Sequence, residues 1–206
     1  MSGTIHTTIA TWVMPILRAL EPYRTGSEIL EAVDIDRSCI EDANQRIPID
    51  KMTRLWELAE KVSSDDCIGL EAIKHVTPTS FHALTPAHQA SSSMRESLER
   101  LKRFSAVVST ALQLDFRENE TEIFVSWKLI GDRFAPSHHA IDAFMGILAL
   151  SAQQLSANRH NPAISVSLTR AEPKDASRHE TLYKCPVTFS AETCVLCLSK
   201  ALVDAS

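Results

Sequence analysis

The amino-acid sequence predicts an α+β fold, with a helical N-terminal layer plus an antiparallel sheet crossed by one long helix. Two observations lead to this prediction. Apolar residues recur at helical spacing through the first half of the chain, whereas from Ala106 the period changes to two. Helical spacing then returns once, over residues 137–158, between predicted strands. The pattern contains no long linker, so we expect a single domain over residues 1–206.

The N-terminal segment is predicted as a helical hairpin packed on the core. Its first helix runs from Thr4 to Leu20, because the apolar residues form one wide stripe, and Pro15 is expected to kink it. Ser27 is expected to cap a short second helix that carries Ile29, Leu30 and Val33. A helix that binds a partner is the alternative interpretation.

Three amphipathic helices are predicted between residues 46 and 108. Asp50 is the expected N-cap of the first helix, and Asp66 is that of a shorter second helix. The third begins at a capping box, in which the Ser93 hydroxyl accepts the N–H of Glu96 and the Glu96 carboxylate reaches back. The apolar stripes of the three helices are Met52, Leu55, Trp56, Ala59 and Val62, then Ile68, Leu70 and Ile73, then Met94, Leu98 and Leu101.

An antiparallel hairpin is predicted next. Apolar and polar residues alternate from Leu112 to Phe116, and a polar turn at 118–120 leads to a second strand over 123–130. The second strand is apolar or bulky on both faces, so its outer face is expected to meet another layer or a cavity. Trp127 lies in this strand, where an indole fills the core or walls a pocket and donates one hydrogen bond.

The long helix is predicted to begin at Ala135-Pro136-Ser137 and to stop at Asn158. His138 lies in its first turn, where the helix dipole favours neutral imidazole over the cation. A neutral imidazole is suited to accepting a proton or to hydrogen-bonding a ligand. The alternative interpretation is an ordinary exposed residue of the first turn.

Shorter strands are predicted to complete the sheet. Residues 164–168 alternate strictly between apolar and polar and predict a third strand, which a polar surface loop follows at 171–178. Residues 187–189 and 193–198 are predicted as further short strands, and Pro186 places its segment near a sheet edge.

Neither a metal site nor a redox site is expected. His75, His82 and His88 are separated by seven and six residues, a spacing that does not place them on one helix face. Cys194 and Cys197 form a C-x-x-C on a predicted strand, where residues three apart point to opposite faces, and no second ligand pair exists.

Composition excludes several classes of function. A net charge of −5 argues against DNA binding by this chain alone, because phosphate neutralisation needs a basic patch. Five scattered cysteines indicate a reducing cytoplasm, and the apolar stretches are too short to span a membrane. The five glycines assemble no P-loop, dinucleotide fingerprint or nucleophile elbow, so we expect no enzymatic activity and no cofactor.

A scattered set of landmarks makes the sequence recognisable. They are Arg46–Asp50, Leu55–Glu57, Gly69-Leu70, Ser93–Leu98 with Leu101 and Phe104, and Tyr183–Phe189. Together they resemble the N-terminal, arabinose-binding-like regulatory domain of AraC-type transcription regulators. The chain departs from that pattern at Thr85-Pro86 and at Cys185, where the family tends to have glycine.

The resemblance implies a domain that binds a small-molecule effector, forms a homodimer and controls a helix-turn-helix DNA-binding domain. No helix-turn-helix segment occurs in this sequence, so we expect a truncated chain or a stand-alone relative. The effector is expected between the helical layer and the sheet, because clefts between layers bury most of a ligand's surface. The expected contact residues are Trp127, His82, Arg103 and His138.

The chemistry of the effector stays open at this point. Arg103 would suit a carboxylate, although it also fits the charged stripe of the third predicted helix. Sugars, amino acids, organic acids and fatty acids are all compatible with the pattern. A dimerisation module without any ligand is the alternative function, with the apolar stripes of 94–101 and 141–155 as possible interfaces.

Overall fold

A computed structural model describes residues 5–42, 44–77, 80, 93–131, 136–156 and 160–205. In these residues the N-terminal layer consists of β1 (Thr7–Ile9), a 3-10 turn (Ala10–Trp12), α1 (Val13–Leu20), α2 (Gly26–Ala32), α3 (Ser38–Glu41), β2 (Arg46–Pro48), α4 (Ile49–Ser63) and α5 (Ile68–Ile73). The remaining elements are α6 (Met94–Val108), β3 (Leu112–Glu118), β4 (Glu122–Leu129), α7 (His138–Leu155), β5 (Ala163–Ser167), α8 (Ser177–Tyr183), β6 (Val187–Thr188), β7 (Val195–Ser199) and α9 (Lys200–Asp204).

The predicted α+β architecture is confirmed. In the described part of the chain, the larger sheet has five strands in the order β3-β4-β7-β5-β6. Its neighbouring strands are antiparallel except β5 and β6, which run parallel. β6 is an edge strand, as Pro186 predicted, because proline has no N–H to give to a second neighbour.

The prediction of one helix from Thr4 to Leu20 is wrong in its first half. Residues 7–9 form β1, which pairs with β2 so that Thr8 lies opposite Ile47. The helix begins only at Val13. Pro15 therefore lies in the first turn, where N–H groups have no acceptor within the helix, and its ring costs no hydrogen bond.

Two of the predicted N-caps lie two residues away from the observed ones. Thr25, rather than Ser27, caps α2, and its hydroxyl and the Glu28 carboxylate form a complete capping box. Pro48, rather than Asp50, occupies the N-cap position of α4. Proline supplies a backbone angle compatible with a helix start, and no side-chain cap is formed there.

The caps of α5 and α6 also differ in part from the prediction. Asp66 does not cap α5; instead Asp65 Oδ1 accepts the N–H of Cys67 at 2.9 Å. Ser93 Oγ accepts the Glu96 N–H at 3.2 Å, which confirms the first half of the predicted capping box. The Glu96 carboxylate is engaged with Arg100 one turn further along the helix.

Two helix boundaries differ from the prediction. Strand periodicity was expected from Ala106, but α6 continues to Val108, Ser109 is its C-cap, and β3 begins at Leu112. α8 begins at Ser177, inside the segment 171–178 that was predicted as a surface loop. Ala106–Val108 are apolar and suit a strand or a helix end, whereas residues 171–178 are polar and suit a loop or a helix start. Composition alone therefore did not locate either boundary.

The buried residues form two cores that share α7. One core joins the helical layer and includes Ala143 of α7, whereas the other joins the sheet and includes Met145, Leu148 and Ala149. α5 packs closely against α7: a Cβ added at Gly69 would lie 2.4 Å from the backbone oxygen of His139. Only glycine permits this approach, so Gly69 allows α5 and α7 to pack at this short distance.

Candidate functional site

A cavity of about 400 Å³ lies between the two layers, at the position where the sequence predicted a ligand site. Its volume falls in the range of about 300–1,000 Å³ typical of small-molecule sites. The walls come from the end of α5, from α6, from the β3–β4 hairpin and from α7. The lining residues are Ile73, Val76, Thr77, Met94, Ser97, Leu98, Leu101, Ser105, Val108, Ser109, Leu112, Trp127, Phe144, Ile147, Leu148, Leu150, Ser151, Ala152, Gln154 and Leu155.

α6 forms one long wall of the cavity. Its lining residues recur three and four positions apart, which places them on one face of the helix: Met94, Ser97, Leu98, Leu101, Ser105 and Val108. The charged residues of α6 make contacts elsewhere, and Arg95 contacts both Asp204 and Glu118. The amphipathic pattern of this helix therefore separates an apolar cavity wall from a charged outer face.

Aromatic rings form one end of the cavity. The ring centroids of Trp127 and Phe144 are 5.5 Å apart, and Phe144 lies 4.9 Å from Trp12 on its other side. Within the described residues, the buried Nε1 of Trp127 has no hydrogen-bond partner. Trp127 shares its face of β4 with the buried Ile123 and Val125. On the opposite face, which was expected to meet another layer or a cavity, Phe124 and Ser126 are half-buried but Lys128 and Ile130 are exposed, so that expectation is wrong at the end of the strand.

The residues expected to contact an effector have different locations. Trp127 lines the cavity, which is one of the two positions that the sequence left open for it. Arg103 is exposed, and its guanidinium lies 5.5 Å from the Phe104 ring rather than in the cavity lining. His138 is half-buried at the start of α7 and is not a lining residue. His82 lies outside the described residues, as does the predicted helix stop at Asn158.

His138 belongs to a small cluster with His139 and Glu60. His139 Nε2 lies 3.0 Å from Glu60 Oε2, and the two imidazole rings are 3.9 Å apart. Burial, followed by the charge of His139, lowers the pKa of His138 to about 4. The neutral imidazole predicted for this position is the form that such a pKa favours at neutral pH.

The same three side chains have the composition of a metal site, with possible ligand atoms within 4.8 Å of one another. A cation at this position would face the positive N-terminus of α7, which opposes its binding. The hydrogen bond between Glu60 and His139 also already engages two of the three side chains. We therefore describe the cluster as a polar tie between α4 and α7.

A buried polar network on α7 was not predicted from the sequence. Asp142 is 1% exposed, and its Oδ2 accepts hydrogen bonds from Arg170 Nη1 at 2.5 Å and from His179 Nε2 at 3.3 Å. Arg170 Nη2 also donates to the backbone oxygen of Asp66 at 2.8 Å. The network thereby joins α7, the segment after β5, α8 and the loop before α5.

The acidic residues before α5 are engaged in the same way. Asp65 Oδ1 lies 2.6 Å from Arg178 Nη1, and Asp66 Oδ2 accepts the N–H of Lys174 at 2.8 Å. Together with Cys67 these residues form a second cluster of possible metal ligands. Their carboxylates are already bound to cationic and backbone donors, so they hold the two layers together. The sequence signal for these contacts was an acidic pair at 65–66 and a cationic segment at 170–178.

Comparison with known proteins agrees with this description. The family profile described as "Arabinose-binding domain of AraC transcription regulator, N-term" matches residues 25–206. The chain therefore belongs to the family of N-terminal arabinose-binding domains of AraC transcription regulators. None of the curated proteins matches the chain.

A solved structure shares the fold. The crystal structure of the transcriptional regulator CdpR from Pseudomonas aeruginosa superposes with a TM-score of 0.57 at 14% sequence identity. The match covers 90% of this chain but 55% of that one, so the chain spans about half the length of this neighbour. Among the helices of the described residues, none combines the length and the apolar character needed to cross a bilayer.

Proposed function

We propose that this domain senses a small-molecule effector in the cavity between its layers and mediates homodimerisation. In this way it controls DNA binding by a helix-turn-helix domain of an AraC-type regulator. The observation that carries the proposal is a cavity of about 400 Å³ inside a domain of this regulatory family. We also propose that the domain has no enzymatic activity and that it acts in the cytoplasm.

The position of the cavity supports a switching role. Its walls belong to both layers, so a bound molecule would contact α6, α7 and the sheet at once. A ligand shifts an equilibrium between two arrangements only through its different affinity for them. A ligand that contacts several elements has a different affinity for each arrangement if α6 and α7 change their spacing between the two.

A screen by thermal unfolding tests the proposal. The 206-residue chain would be heated with sugars, amino acids, organic acids, fatty acids and neutral amphiphiles. A ligand at about 100 times its Kd adds roughly 2.7 kcal/mol to the unfolding free energy, which corresponds to roughly 5–11 °C in Tm. Stabilisation by one chemical class supports effector sensing. The absence of any shift across all classes contradicts it.

A dimerisation module without a ligand is the second candidate. The apolar stripes of 94–101 and 141–155 face the cavity and the core, so a dimer interface would use another surface. Exposed apolar side chains occur near the end of α6 and of β4, at Phe104, Val107, Leu129 and Ile130. A stable dimer by light scattering, with no ligand-induced shift, would favour this alternative.

A further inference from the structure

The cavity lining discriminates against charged molecules. Fourteen of its twenty described residues are apolar, and no Asp, Glu, Lys, Arg or His occurs among these twenty. The cations of α6 are directed elsewhere: Arg100 contacts Glu96, and Lys102 lies 3.7 Å from Asp115. A carboxylate or ammonium group in the cavity would lose its hydration without gaining a counter-charge from these residues.

The cavity also offers few available partners for a sugar. Ser105 Oγ donates to the backbone oxygen of Lys102, and Ser109 Oγ accepts the N–H of Ala111. The Thr77 hydroxyl lies 3.1 Å from that of Ser80. A monosaccharide carries hydroxyl groups around its whole ring, and each one buried without a partner costs binding free energy. The family's name therefore does not describe the chemistry of this lining.

Two polar residues on α7 are exceptions. Ser151, which is half-buried, and Gln154, which is exposed, line the solvent end of the cavity, and the described residues give their side chains no hydrogen-bond partner. They lie three positions apart on α7 and so share one face of the helix. Phe144 and Leu155 mark the extent of the lining on α7, a span of roughly 16 Å at 1.5 Å per residue.

We infer that the effector is an uncharged, elongated and mainly apolar molecule with one hydrogen-bonding group. Its apolar body lies along α6 and α7 towards the rings of Trp127 and Phe144. Its polar group contacts Ser151 and Gln154. This inference rests on the proposed function and specifies the class of ligand for the same cavity.

Three probes of contrasting chemistry test the inference on the 206-residue chain. They are 1-decanol, decanoate at pH 7.5 and L-arabinose, with both amphiphiles kept below the concentration at which they aggregate. We expect 1-decanol to raise Tm and to bind at least about tenfold more tightly than decanoate, a difference of about 1.4 kcal/mol. L-arabinose should leave Tm unchanged.

Matched variants locate the binding. Leu101→Trp and Leu98→Trp fill the cavity from α6, whereas Phe104→Trp adds the same ring to the exposed face of that helix. The shift caused by 1-decanol should disappear in the folded cavity variants and persist in Phe104→Trp. Two cavity variants are included so that the failure of one to fold does not end the test.

Each other outcome overturns the inference in a recognisable way. Stabilisation by decanoate or L-arabinose that the cavity variants abolish shows that the effector class is wrong while the sensing site stands. A decanol shift that survives in both cavity variants shows binding elsewhere. If neither these probes nor the wider screen shifts Tm, the inference and the proposed function fail together.

Discussion

The two sides of α7 differ in chemistry. One side lines an apolar cavity through Phe144, Leu148 and Ser151, whereas the other carries Asp142 in a buried network with Arg170 and His179. The network holds the packing of the two layers, because each buried charge needs its partners. The cavity side leaves room for another molecule. Under the proposed function, stability and effector binding are assigned to opposite faces of one helix.

The largest effect is expected from breaking the buried network. Asp142→Ala leaves Arg170 and His179 without their shared acceptor and should lower the free energy of unfolding by about 3–5 kcal/mol. Urea unfolding measures this loss. The control is Arg37→Ala, since the Arg37 and Glu41 side chains are 75% and 70% exposed and their contact is worth under about 1 kcal/mol. Equal losses in both variants would contradict a special role for the network.

A smaller loss is expected where α5 meets α7. Gly69→Ala places a Cβ 2.4 Å from the backbone oxygen of His139, and the helices must separate. We expect a loss of about 1–3 kcal/mol in urea unfolding. Gly26→Ala is the matched control, because its nearest neighbour is Leu17 Cδ1 at 3.4 Å. A fully stable Gly69→Ala variant would show that the spacing across α7 is adjustable.

The pH dependence of stability tests the cluster at the start of α7. The pKa of His138 is about 4 in the folded chain, below its ordinary value of 6.5. The unfolded chain therefore binds more protons between these values, and this residue's contribution lowers stability as the pH falls from about 6.5 to 4. The free energy of unfolding should fall in both proteins as the pH is lowered from about 7 to 4.5. After allowance for solvent screening of a half-buried group, the fall in His138→Gln should be smaller than that in the wild type by about 1–2 kcal/mol.

The comparison uses an exposed histidine as its reference. His160→Gln is the reference substitution, because His160 is exposed at the start of the segment that leads into β5. If the unfolding free energies of His138→Gln and the wild type change identically with pH, then the pKa of His138 is the same in the folded and the unfolded chain, which contradicts the prediction.

The smallest change in the free energy of unfolding is expected on the cavity side of α7. Unlike the changes above, it is expected to be zero or stabilising. Leu98→Phe adds volume to the cavity wall, so stability should stay unchanged or rise by about 0.5–2 kcal/mol. Ligand-induced stabilisation should weaken in the same variant. A loss above about 2 kcal/mol in urea unfolding would show that the cavity wall is tightly packed, and the contrast between the two faces of α7 would fail.

Sequence periodicity predicted the helical stripes that form the cavity walls, but it assigned them to the core or to a dimer interface. The stripes of α6 and α7 and the alternation of β4 each depend on neighbours within a few turns or residues. For Trp127 this local spacing left a core position and a pocket wall both open, and the structure places it in the cavity lining. The pairing of β1 with β2 was missed because Thr7 and Pro48 are distant in sequence and each strand has three residues. The local pattern of apolar and polar residues does not show which distant segment a short strand pairs with.

The buried network was missed for a related reason. Residues 171–178 are polar and predict a surface loop, yet Arg170 and His179 on either side of them are buried against Asp142. Their burial depends on a carboxylate that lies on another element. The same limit applies to Arg103, whose charge fitted a carboxylate ligand but whose side chain is on the exposed face of α6.

Tryptophan fluorescence gives the most direct test of the central claim, that the cavity binds the effector. Of the three tryptophans, Trp127 lines the cavity. Titration with the stabilising ligand should change the emission of the wild type, and Trp127→Phe should lose most of that change while retaining a ligand-induced rise in Tm. An undiminished change in Trp127→Phe would place the ligand elsewhere and contradict the claim.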